Sequence, residues 1–304
     1  MPPKRRKAAA PPDAPEPKKR VTRSSTKSQA ASEPAKDTPK TSKPTKSTES
    51  KANKEKATKP EKKPNDQPSD GGNEPTTLTI SHVSVKNPLT CHHYTPDSKN
   101  PPDAPTLIFT HGAGGTLSAP AVVNFCNGYS KGAPILAFQG SINLKARVKG
   151  FHACISHLET TNLKEKTLVL GGRSMGARTA VIAATEVLSS SSPPSDLKLM
   201  LVSYPLKGPK DDIRDQILLD LPSTIHILFV IGDKDVMCPL DMLNATRKKM
   251  AAESQLVVVK GADHGMHVKG KDKEQRVGEE SGSRALGWVC GEMGDEVIWI
   301  ADEE

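Results

Sequence analysis

The sequence predicts an α/β domain built on a mainly parallel, doubly wound sheet and preceded by a disordered tail. Three observations predict it. Short runs of four to seven residues, apolar on both faces, recur between residues 106 and 259, as strands of a sheet covered on both sides do. Stretches with helical spacing separate them, the alternation that winds a parallel sheet. Residues 1–75 contain no Phe, Trp, Tyr, Leu or Ile, and Val21 is their only β-branched aliphatic residue. Such a segment cannot bury enough apolar surface to offset the entropy lost on ordering. The expected organisation is therefore a tail, residues 1–75, and one α/β domain, residues 76–304.

The elements follow in order. Thr77 to Val85 alternates through Leu78, Ile80, His82 or Val83, and Val85, the pattern of a half-buried edge strand. Strands are then expected at Thr106–Thr110, Ile135–Phe138, Thr167–Leu170, Leu197–Val202, Ile225–Ile231 and Leu256–Val259. Helical spacing appears from Lys145 to Leu158, with Val148, Phe151, Ile155 and Leu158 at three- and four-residue steps. An Ala-rich helix runs from Met175 to Leu188 and closes on the Ser/Pro stretch Ser189–Ser195. A further helix is expected over Leu240–Ala252, where Asp241 in the first turn and Arg247, Lys248 and Lys249 in the last suit the helix dipole. Ligands of such sheets bind beyond the carboxyl ends of the strands.

Charge divides as sharply as composition. The tail carries 19 Lys and Arg against 10 Asp and Glu, and the remainder 24 against 25. Attraction to anionic partners therefore belongs to the tail. It has two basic clusters, Lys4–Lys7 and Lys18–Arg20, of the kind that serve as nuclear addresses. Without an aromatic residue to stack on bases it supports only weak, salt-sensitive, non-specific attraction. The five cysteines, Cys91, Cys126, Cys154, Cys238 and Cys290, form no CxxC pair. They suggest reduced thiols in the nucleus or cytoplasm rather than a disulfide framework or a zinc site. No apolar run approaches the roughly 18 residues of a membrane span, and no apolar stretch follows the basic start. Neither membrane insertion nor secretion is expected.

Four motifs carry chemistry, each at a strand's carboxyl end. Gly172-Arg173-Ser174-Met175-Gly176 follows the strand at Thr167 and opens the Ala-rich helix. It reads as G-x-S-x-G, a strained turn that lifts a serine above the sheet and needs small neighbours. His111-Gly112-Ala113-Gly114-Gly115 follows an earlier strand; such a loop supplies one backbone N–H of an oxyanion hole, here Ala113, and Met175 after the serine supplies the other. Gly-rich loops also cradle phosphates, but G-x-G-x-x-G is absent. Gly232-Asp233-Lys234-Asp235 and Gly261-Ala262-Asp263-His264-Gly265 end two later strands. Ser, acid, His is the chain order expected for an elbow serine. His264 would relay the serine proton, and a carboxylate would hold its tautomer. Asp235 is the better placed acid, Asp233 the alternative, and Asp263 reads as structural. His267 could line the site. His92, His93, His152 and His157 lack metal-ligand spacing, so neither a metal nor a cofactor is expected. Arg173 and Arg178 flank the serine, where either could attract an anionic group, face solvent or pair with a carboxylate.

Together, His111–Gly115, Gly171–Gly176, Ser203-Tyr204-Pro205-Leu206, Asp235–Cys238 and Asp263-His264 resemble one branch of the α/β-hydrolase-like proteins. That branch includes testis-expressed protein thirty and the third subunit of the non-specific-lethal chromatin complex. The resemblance runs from about Thr106 to the C-terminus. It implies an α/β-hydrolase fold with matching positions at Ser174, Asp235 and His264, and it supplies no substrate. The short connection from Val202 to Ile225 leaves no room for a large cap domain, which suits small acyl substrates. The leading expectation is a serine hydrolase acting on an ester, thioester or other small acyl substrate. The alternative is a non-catalytic module of the same fold, with protein partners in a nuclear, chromatin-associated complex.

Overall fold

The computed structural model describes residues 74–96, 104–161 and 167–301, all within the unit Asp66–Glu304. The tail expected over residues 1–75 lies outside them, apart from Glu74 and Pro75. The strands are β1 (Thr76–Ile80), β2 (Leu89–Tyr94), β3 (Leu107–Thr110), β4 (Ile135–Phe138), β5 (Thr167–Arg173), β6 (Asp196–Val202), β7 (Ile225–Gly232), β8 (Glu253–Val259) and β9 (Val297–Ile300). The helices are α1 (Pro120–Tyr129), α2 (Leu144–Thr160), α3 (Met175–Leu188), α4 (Gln216–Leu219), α5 (Leu240–Arg247) and α6 (Lys271–Val289).

The strands form one sheet in the order β1-β2-β4-β3-β5-β6-β7-β8-β9. β1–β2 and β2–β4 pair antiparallel; from β4 to β9 every pairing is parallel. Side chains alternate between two cores, as the two-residue period of a strand requires. Leu199, Leu201, Ile227, Phe229, Ile231 and Val258 face the core covered by α2, α3 and α5. Met200, Val202, Leu228, Val230, Val257 and Val259 face the core covered by α1 and α6. The chain leaves β3 through α1 to β4, then returns through α2 past β3 to β5. The strand order therefore reverses at β3 and β5, where a crevice opens beyond their carboxyl ends. Both Gly-rich loops sit there.

Several expected elements differ in extent. The first strand stops at Ile80 rather than Val85, because the chain turns over residues 82–88 to pair Ile80 with Leu89; Val83 in that turn is 99 % exposed. The helix expected to reach Ala252 ends at Arg247, whose guanidinium turns to the Ser254 carbonyl (2.7 Å) and hydroxyl (2.9 Å) at the start of β8. β2, β9, α1 and α6 were not expected. His92-His93 interrupts the apolar pattern of β2, and β9 is a short run with Trp299 half exposed. In α6, charges and glycines conceal a buried face. A Cβ on Gly282 would overlap the backbone of Phe125 and Tyr129, and one on Gly128 would overlap that of Glu279. These glycines let α1 and α6 cross closely.

Between β6 and β7 lie only a single turn of 3-10 helix at Pro209–Asp211 and the four residues of α4. Among the described residues no large cap covers the carboxyl end of the sheet. Among the described residues no helix is long and apolar enough to cross a membrane.

Candidate active site

Ser174 sits between β5 and α3 with φ 53° and ψ −114°, a backbone conformation that a residue with a Cβ adopts only under strain. The strain is locked in by close packing. A Cβ on Gly172 would overlap Gly176, and one on Gly176 would overlap the Thr110 and His111 backbone. The Ser174 N–H donates to the Val202 carbonyl at 2.9 Å. The turn thus fixes the serine against β3 and β6 and leaves its side chain above the sheet.

His264 reaches Ser174 from the loop after β8. Its Nε2 lies 2.9 Å from Ser174 Oγ, and its Nδ1 lies 2.9 and 3.0 Å from the two carboxylate oxygens of Asp235. An ionised Asp235 accepts only, so Nδ1 carries the proton and Nε2 is left to accept from the serine hydroxyl. Asp235 is 3 % exposed, and its Oδ1 also accepts from the N–H groups of Met237 (2.8 Å) and Cys238 (3.2 Å).

The neighbouring aspartates have other partners. Asp233 Oδ1 accepts from the Gly261 N–H at 2.6 Å, tying the β7 loop to the β8 loop. Asp263 Oδ1 accepts from the N–H groups of Gly265 (2.7 Å) and His267 (3.0 Å), closing the turn that presents His264. His267, read as a possible lining residue, turns instead to Glu274 of α6 at 3.1 Å and is 62 % exposed. Arg173 donates to the His264 carbonyl at 2.6 Å, which fixes the histidine loop. Arg178 lies near Tyr204, Asp212 and Arg214, and its pKa is lowered first by burial and then by the Arg214 charge.

The loop after β3 borders the serine. A Cβ placed on Gly112 would come 3.5 Å from Ser174 Cβ. His111 is buried, accepts the Gly140 N–H on Nε2 at 3.0 Å and donates from Nδ1 to the Gly112 carbonyl at 2.7 Å. Burial lowers its pKa and the Arg147 charge lowers it further, against the pull of these two hydrogen bonds. Ala113 is exposed and Gly114 takes φ 65°. Met175 opens α3, where the first N–H groups have no acceptor within the helix. Arg147 was not singled out from sequence, yet it is 1 % exposed and reaches beneath this loop. The available signal was its position: Arg147, Phe151 and Cys154 fall on one helical stripe, and two of the three are apolar.

Among the described residues no group of three or more His, Cys, Asp or Glu is placed to hold a metal. All five cysteines are free, and only Cys290 is exposed; burial pushes the Cys126 and Cys238 thiols far up, so neither is a ready nucleophile. A concavity of about 650 Å³ is lined by Ile155, Glu186, Thr167 and Pro193 at the amino end of β5, away from Ser174.

A doubly wound sheet with an elbow serine at its reversal point defines an α/β hydrolase. The family model described as the alpha/beta hydrolase domain matches residues 103–284, and the chain belongs to that family. Similar solved structures include a serine hydrolase homologue from Coxiella burnetii, 19 % identical with a TM-score of 0.55 over 69 % of this chain and 97 % of that one. Est1E from Butyrivibrio proteoclasticus is 16 % identical with a TM-score of 0.52, over 73 % and 100 %. A serine hydrolase without lid from Xanthomonas campestris is 17 % identical with a TM-score of 0.52, over 72 % and 94 %. At these identities the likeness is one of fold.

Proposed function

We propose that the protein is a serine hydrolase that cleaves small, soluble esters or thioesters, with Ser174 as nucleophile, His264 as base and acid, and Asp235 as the group that orients it. The observation that carries the reading is the continuous chain from Ser174 Oγ through His264 to Asp235, set on a strained turn. The strained turn and the chain together favour this reading over that of an interaction module. The Ser174 hydroxyl attacks the acyl carbon while its proton passes to His264 Nε2. The carbonyl oxygen takes up the negative charge, facing the N–H groups of Ala113 and Met175. His264 then gives the proton to the leaving alkoxide or thiolate. Water, deprotonated by the same imidazole, releases the acid and restores the serine.

The absence of a cap between β6 and β7 supports small acyl substrates, as does the likeness to a serine hydrolase solved without a lid. Within the family, we group the chain with the branch that it resembles in sequence on Gly172–Gly176 and Ser203–Leu206. A nuclear location is proposed from Lys4–Lys7 alone; a reporter fused to residues 1–30 that distributes like free reporter would remove it.

The test is labelling by a fluorophosphonate. Folded protein should take up one equivalent, Ser174→Ala none, and His264→Ala should react far more slowly. Folded wild-type protein that fails to label would refute the hydrolase reading.

A further inference from the structure

Arg147 heads the fully buried side chains of the described residues by volume. Such a guanidinium ordinarily meets a carboxylate. Among the described residues, the hydrogen bonds of this one run to backbone carbonyls. Nε donates to Ser141 O at 2.8 Å and Nη2 to Gly140 O at 3.2 Å. Nη1 donates to His111 O, and Nη1 and Nη2 both reach Gly112 O at 3.4 Å. The side chain therefore joins the loop after β3 to the loop after β4. Burial lowers its pKa to about 10, so it stays charged at neutral pH.

A peptide unit is planar and trans, so its C=O and N–H point in opposite directions. The Gly112 carbonyl accepts from His111 Nδ1 at 2.7 Å and has both terminal nitrogens of Arg147 at 3.4 Å. That orientation turns the Ala113 N–H, on the same peptide unit, away from Arg147. Gly112 itself borders Ser174. We propose that Arg147 is a positioning residue for the oxyanion hole: by holding the carbonyls of His111 and Gly112, it aims the Ala113 N–H at the developing oxyanion. The inference rests on the reading of Ser174 as nucleophile and Ala113 as donor. The guanidinium also polarises the peptide it binds, which makes Ala113 a stronger donor. A lysine would retain the charge but not the planar fork that spans these carbonyls.

The experiment compares wild type, Arg147→Lys and Arg147→Met by fluorophosphonate labelling rate, by hydrolysis of a short-chain p-nitrophenyl ester and by thermal melting. Removing one oxyanion donor lowers kcat roughly 100- to 1000-fold; misaiming one should lower kcat and the labelling rate roughly 10- to 100-fold, with KM within about twofold. The pH midpoint of labelling should not move, because the base is untouched, and Arg147→Lys should recover part of the loss. A purely structural role would lower the melting temperature while the folded fraction labelled at the wild-type rate; that result overturns the inference and leaves the hydrolase reading standing. Wild-type protein that does not label removes both. If Arg147→Met does not fold, Gly140→Ala serves, because its Cβ would press on the Arg147 guanidinium; the same loss of kcat is expected, and a wild-type rate would again overturn the inference.

Discussion

Asp233 and Gly261 are joined by a 2.6 Å hydrogen bond across the ends of β7 and β8, and this bond separates the roles of two aspartates only two residues apart. With Asp233 engaged by a backbone N–H, Asp235 alone faces His264 Nδ1. Asp235→Asn would put an amide NH₂ or a single carbonyl opposite Nδ1 and favour the wrong tautomer. The expected loss of kcat is about 10³- to 10⁴-fold. Asp233→Asn keeps an acceptor for Gly261 and should lose less than about tenfold. Steady-state hydrolysis of a short-chain ester by both variants decides it, and equal effects would place the acid elsewhere.

The crossing of α1 and α6 reverses the usual rule for glycine in helices. Gly→Ala inside a helix normally stabilises by about 0.5–1 kcal/mol. A methyl on Gly287 would meet only ordinary contacts, the closest at 3.6 Å, and Gly287→Ala should follow that rule. Gly282→Ala should instead destabilise by at least about 1–3 kcal/mol, because the methyl has no room beside Phe125 and Tyr129. Urea melts of the two variants should shift in opposite directions.

That crossing also shows where sequence stopped being informative. The central strands were legible because both faces are covered, so Leu199 and Met200 are apolar for two different cores. Ser174, Asp235 and His264 could be picked out because each lies two or three residues beyond a glycine at the carboxyl end of a strand. β2 was hidden by His92-His93, and α6 by glycines whose purpose is contact with another helix. Arg147 was hidden for a deeper reason. Its partners are backbone carbonyls, and backbone groups leave no mark in the residue letters.

His111 predicts a pH dependence of stability. Its pKa in the folded protein is lowered by burial and by Arg147, so between that value and the unfolded value near 6.5 the unfolded state binds more protons. Stability is then fully present above about pH 6.5 and is lost as pH falls through this window, with a slope of at most about 1.4 kcal/mol per pH unit from this residue. His111→Asn, which cannot titrate, should be less stable than wild type at pH 7.5, and the gap should narrow towards pH 5. Parallel curves of melting temperature against pH would contradict this.

Deleting residues 1–75 should leave the melting temperature within about 1 °C, because a segment whose only β-branched aliphatic residue is Val21 adds nothing appreciable to a core. The same deletion should abolish retention on a heparin column at low salt, since the residues after Pro75 carry 24 positive against 25 negative side chains. Calorimetry and salt elution of the full and truncated chains read both effects. A clear drop in melting temperature on truncation would contradict the first.

The strain at Ser174 is itself measurable. At φ 53° and ψ −114° a residue with a Cβ carries on the order of 1–3 kcal/mol of backbone strain. Ser174→Ala and Ser174→Gly both remove the hydroxyl and its 2.9 Å bond to His264, so that loss cancels between them. Ala retains the Cβ and the strain; Gly releases it. Against this, Gly has the more flexible unfolded chain, worth about 0.5–1 kcal/mol in favour of Ala at an unstrained position. The balance should leave Ser174→Gly more stable than Ser174→Ala by up to about 2 kcal/mol, a few degrees in melting temperature for a domain of this size. Neither variant should label with a fluorophosphonate. Finding Ser174→Ala the more stable of the two would mean that the turn is relaxed in solution, and that the serine is not held by the geometry on which its proposed reactivity depends.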